Sequence, residues 1–137
     1  MAEFTTKSGA EVVITAASFE VAQNLWSAIQ SAAADQKISQ DFIEQPESLF
    51  NLILKIDSSP IFKQALWPCL IRCTRNKQKI DKTTFEDTEV RKEYYEIINR
   101  CVDENIRPFA ESLFSELSAL IGLNQKAPAA ESGPKQP

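Results

Sequence analysis

Three cysteines, Cys69, Cys73 and Cys101, are the residues of this chain best equipped for metal or redox chemistry, and they stand without a single histidine. A structural zinc site takes four Cys or His ligands in a tetrahedron, so three thiols leave it a ligand short. Cys69 and Cys73 fall on one helix face by spacing, where cysteine behaves as a small buried hydrophobe. The cysteines therefore read as core, and neither a metal nor a cofactor is expected. An odd number of thiols without an export signal also points to free cysteines in a reducing compartment.

Other routes to catalysis fare no better. Acid–base chemistry near neutral pH draws most often on histidine, and phosphate chemistry on glycine-rich loops or bound metals. Gly9, Gly122 and Gly133 are the only glycines and are too dispersed for a nucleotide fingerprint. Glu89, Glu93 and Glu96 share a helix face, but carboxylate di-metal sites pair with Glu-x-x-His from other helices. Lys92 and Arg100 on the same face give it the mixed charge of a solvated surface. Arg75, Lys77, Lys79 and Lys82 form a basic stretch over residues 74–83 that holds no glycine for close approach to phosphate. It reads as a solvated connector between helices. No catalytic residue emerges, and the chain is expected not to be an enzyme.

Charge and length narrow the partners. The 137 residues carry 15 basic and 19 acidic side chains, a formal net charge of −4, which disfavours nucleic acid and anionic membrane surfaces. No apolar run approaches the ~20 residues of a membrane span, and residues 1–7 lack the pattern of a signal peptide. A cytoplasmic protein is expected. With 43% apolar residues the chain can bury a core of its own.

The elements follow from periodicity. Residues 3–7 and 10–14 are β-prone and flank Ser8-Gly9, which predicts an N-terminal β-hairpin. A lone hairpin keeps unpaired edges, making Phe4, Val12, Val13 and Ile14 the candidate protein-interaction residues. Thr15 or Ser18 is placed to cap a helix bearing Phe19, Ala22, Leu25, Trp26, Ile29 and Ala33 on one face, with Glu20, Gln23, Asn24, Ser27 and Gln30 opposite. Residues 35–44 read as loop. Pro46 opens a second helix whose apolar residues, Leu49, Phe50, Leu52, Ile53, Leu54 and Ile56, nearly encircle it. Ser59-Pro60 starts a third, with a kink or break expected near Trp67 from Pro68. Thr84 and Asp87 resemble a capping box for the longest helix, with Val90, Tyr94, Ile97, Ile98, Cys101 and Val102 as its stripe. Asn105-Ile106-Arg107-Pro108 reads as the next boundary, before a final helix that Gly122 terminates. The expected fold is mainly α, about five helices around one core with a short N-terminal β-hairpin. It forms a single domain over residues 1–123, followed by a disordered tail over 124–137.

Two segments resemble the tail assembly chaperones of long-tailed bacteriophages. One is the hairpin entering a helix, from Ser8-Gly9-Ala10 to Ala17-Ser18-Phe19. The other runs from Leu66-Trp67-Pro68-Cys69 through Thr84-Phe85-Glu86, Arg91 and Tyr94 to Asn105-Ile106-Arg107-Pro108-Phe109. The resemblance implies a non-enzymatic, oligomeric protein that coats the tape-measure protein and recruits tail-tube subunits. Such a protein works in the host cytoplasm and is absent from the mature virion. Its alternatives are a structural virion component, such as a tail-completion or adaptor protein, and a small regulatory helical module binding a host protein.

Overall fold

The computed structural model describes residues 1–35 and 46–126. Of the loop expected over 35–44 only Asp35 is described, and it ends a helix; of the tail expected over 124–137 only residues 124–126 are described, and they are helical rather than disordered, while the rest of both segments lies outside the described residues. Among the described residues the chain is mostly helical, with five α-helices and an N-terminal antiparallel strand pair. It divides into two compact units, Met1–Arg107 and a second that begins at Pro108.

Strands β1 (Ala2–Thr5) and β2 (Glu11–Ile14) pair in the register Ala2 to Ile14, Glu3 to Val13, Phe4 to Val12 and Thr5 to Glu11. Gly9 takes φ +98° at the turn, a backbone region where a Cβ is strained. Thr6 closes the turn twice, donating its N–H to the Ala10 carbonyl (2.9 Å) and accepting the Ala10 N–H on Oγ1 (3.0 Å).

The hairpin is not alone, which corrects one expectation and overturns another. The basic connector is a second hairpin, β3 (Thr74–Arg75) and β4 (Gln78–Lys79), and β3 pairs with β2 to give a four-stranded sheet in the order β1-β2-β3-β4. Its turn residues Asn76 and Lys77 both have positive φ, 49° and 70°, the backbone of a two-residue primed turn. Asparagine tolerates that region without glycine, and Asn76 is further held by exchanging hydrogen bonds with the Glu11 backbone at 2.7 and 2.9 Å. Ile80, the single apolar residue of the stretch, is 1% exposed and anchors the hairpin in the core.

Helix α1 (Phe19–Asp35) buries Ala22, Leu25, Trp26, Ala28, Ile29, Ala32 and Ala33, while Phe19, expected on this face, is 69% exposed. Helix α2 (Pro46–Ile56) buries Leu52, Ile53 and Ile56 but leaves Leu54 44% exposed, so its burial is one-sided rather than all round. Helix α3 (Pro60–Leu70) starts at the Ser-Pro signal. The Ser59 side chain makes no cap bond, and its carbonyl accepts from Lys63 N–H (3.1 Å). Pro68 does not break α3 at Trp67, because it falls in the last turn and the Trp67 carbonyl still receives Ile71 N–H (3.0 Å).

The C-terminal half departs further from the expected pattern. Residues Thr84–Glu86 form a 3₁₀ turn, and Asp87 caps the one-turn helix α4 (Thr88–Arg91) by accepting Glu89 N–H at 2.9 Å. The long helix α5 begins only at Tyr94 and continues to Lys126, through both Pro108 and Gly122. Asn105 does not end it. Its amide donates to the Cys101 carbonyl (2.8 Å) and accepts Ala17 N–H (2.8 Å), so the side chain ties α5 to the entry of α1 instead of capping a new helix. No helix among the described residues is long and apolar enough to cross a membrane.

Candidate protein-interaction surfaces

Of the four residues singled out for contact, two are spent on the core. Val12 and Ile14 are 1% and 0% exposed. Phe4 lies opposite Val12 and so shares its inward face, half-buried beneath the Arg100 guanidinium, which stacks 4.6 Å from the ring centroid. Val13, half-buried, is on the outer face, where Glu3 and Thr74 flank it across the two ladders. The hairpin thus offers Val13 and its outer face, and the free edge of β1, rather than all four side chains.

A second surface lies where α1 and α3 pack together. Asn24, Ser27, Ala28 and Ser31 of α1, at i, i+3, i+4 and i+7, face Ile61, Gln64 and Ala65 of α3 across an open groove of about 360 Å³. Its lining is apolar or neutral, with Ile61 53% exposed at one wall. Small residues let another backbone approach closely, and interface cores are depleted of charge. From sequence this face of α1 looks like an ordinary polar surface. The signal that marks it is the shortage of charge: across its 17 residues α1 carries only Glu20 and Asp35.

Two polar clusters, around Glu93 and Asp57, are internally satisfied. Glu93 is 3% exposed and accepts Arg75 Nε (2.7 Å) and Nη2 (3.0 Å) as a fork, with the Ser8 hydroxyl donating to the same carboxylate. The Arg75 hydrogen bond, helped by Ser8, holds the Glu93 carboxyl below its ordinary range. This one side chain ties the first turn, the second hairpin and the junction between α4 and α5. Asp57, also buried, accepts the hydroxyls of Tyr94 (2.9 Å) and Tyr95 (3.2 Å). Trp67, Phe85, Tyr94 and Tyr95 follow one another edge to face, with centroids 6.4, 5.2 and 5.1 Å apart.

All three cysteines are free and fully buried. Cys73 lies past the end of α3, so it does not share a helix face with Cys69; its Sγ sits 4.0 Å from Cys101 Sγ. Burial pushes the Cys69 thiol up to about 12, and the Cys73 contact together with burial raises Cys101 well above its ordinary value. Among the described residues no group of three or more His, Cys, Asp or Glu side chains is arranged to hold a metal ion.

Comparison with known proteins gives no match to a family model, to a curated protein or to a solved structure.

Proposed function

We propose that this chain is a non-enzymatic, protein-binding chaperone of phage tail assembly, which coats the tape-measure protein and recruits tail-tube subunits. The observation that carries the proposal is the uncharged groove between α1 and α3. A groove running between two helices, floored by Ala28 and Ala65 and rimmed by neutral amides and hydroxyls, fits the apolar stripe of a client helix. A tape-measure protein, long and helical, presents that stripe repeatedly and so takes several copies of a small chaperone. The resemblance supplies the identity of the client, and the two resembling segments belong to the elements that build this domain: the first is β2 entering α1, and the second includes the end of α3.

Ser27 and Ser31 are exposed, so Ser27→Glu with Ser31→Glu places two charges on the groove without disturbing the core. The expected result is unchanged thermal stability and at least about tenfold weaker binding to a purified tape-measure segment. Equal affinity of the double variant, or no affinity in the unmodified chain, overturns the proposal. Stoichiometric recovery of the chain from purified virions decides for the structural-component alternative.

A further inference from the structure

The sheet order leaves β1 and β4 as edges, and β4 is only two residues long. The phase of the β1 ladder is fixed by Thr6 N–H donating to Ala10 O. Hydrogen-bonded and non-hydrogen-bonded pairs alternate along an antiparallel ladder. Phe4:Val12 and Ala2:Ile14 are therefore the bonded pairs, and the N–H and C=O of Glu3 and Thr5 point away from β2. The bond from Asn76 N–H to Glu11 O, 2.7 Å, turns Glu11 and Val13 toward β3 and agrees with this phase. Among the described residues the Glu3 and Thr5 backbones have no other hydrogen-bond partner, and both side chains are exposed. No proline, lysine or bulge interrupts β1, and Glu3 is its single charged residue.

We propose that a second copy of this chain adds to β1 in antiparallel sense, with Glu3 opposite the partner's Thr5 and a two-fold axis through Phe4. Two outward-facing residues separated by one inward residue form a set that a two-fold axis maps onto itself, as a closed homodimer requires. The pairing forms four backbone hydrogen bonds, two at each Glu3:Thr5 pair. Phe4 and the partner's Phe4 become the close, non-bonded pair between them. The neighbouring registers are worse. One sets Glu3 against the partner's Glu3, carboxylate on carboxylate. The other centres on Thr5 and needs Lys7 extended, but the chain already turns there and the Lys7 N–H points to Glu96 Oε1 (3.4 Å). The β1 edge shares no residue with the α1–α3 groove, so this pairing stands or falls separately from client binding.

The test is sedimentation equilibrium on the full chain and on Glu3→Pro and Thr5→Pro, each of which removes one outward N–H while sparing the bonds to β2. The expected result is a reversible dimer whose Kd rises at least about tenfold in either variant, with circular dichroism unchanged. If a proline variant loses the hairpin, register decides instead. Phe4→Cys, treated with oxidised glutathione, should give an intermolecular disulfide that neither Glu3→Cys nor the unmodified chain gives. A chain that is monomeric up to about 0.5 mM, a dimer that survives both prolines with its fold intact, or cross-linking through position 3 in preference to position 4 overturns the proposal.

Discussion

Replacing Arg75 with methionine isolates the contribution of the Arg75–Glu93 fork. Methionine keeps much of the arginine's length and apolar stem but leaves the Glu93 carboxylate with only neutral hydroxyls, those of Ser8 and Thr6, as hydrogen-bonding neighbours. Removing one partner of a buried pair typically costs about 3 to 5 kcal/mol, because the other charge stays buried and uncompensated. Glu93 has a side-chain exposure of 4%, but Arg75 retains 23%, which lets some solvent screen the pair. The expected loss is therefore at the low end, about 3 kcal/mol, large against a total of about 5 to 15 kcal/mol for a small domain. The pH dependence supplies a second reading. Glu93 is held below its ordinary range mainly by the Arg75 bond, so the fork's contribution is fully present above the unfolded carboxyl value of about 4.3. It is lost as the pH falls through the lower folded value. Urea melts at pH 7 and at about pH 3 should show the gap between Arg75→Met and the unmodified chain narrowing toward acid. Glu93→Gln should cost less, about 1 to 2 kcal/mol, since the part-exposed arginine can hydrate. A loss under about 0.5 kcal/mol for Arg75→Met, or a gap that does not change with pH, would refute the reasoning.

Leu52→Ala and Ile53→Ala should each destabilise by about 2 to 5 kcal/mol in denaturant melts, while Leu54→Ala, at a 44% exposed position, should cost less than about 1 kcal/mol. Burial, with the Asp57 hydrogen bond second, pushes the Tyr94 phenol above its ordinary value, and Tyr95 moves the same way. Absorbance titration at alkaline pH should show these phenols ionising late, and Asp57→Asn should move them back toward about 10. A raised folded value means that the stabilisation is complete below about pH 10 and is lost as the pH climbs through it, so the Asp57→Asn deficit in stability should shrink in strong alkali.

The parts of the fold that sequence reveals are those whose signals are local. Gly9 between two β-prone runs, proline at the start of α2 and α3, and the 3.6-residue recurrence in α1 all act within a few residues, and each element is present. The misread parts depend on partners distant in sequence. Asn105 looks like punctuation beside Pro108, but it bonds Ala17, 88 residues away, and the helix runs on. The second hairpin hides because its strands are two residues long and its turn uses Asn76-Lys77 without glycine. Glu93 and Arg75 show the cost of reading elements singly. A continuous helical wheel assigns Glu93 to the solvated face with Glu89 and Glu96, but α4 ends at Arg91 and α5 begins at Tyr94, so the wheel breaks at the residue that turns inward. Arg75, counted among the charges of a solvated connector, is the group it turns to meet. A charge placed on either segment reads as surface until the sheet brings the two together. Their burial is thus a consequence of β2–β3 pairing and not of either local pattern, and mutations that prevent that pairing should expose both charges at once.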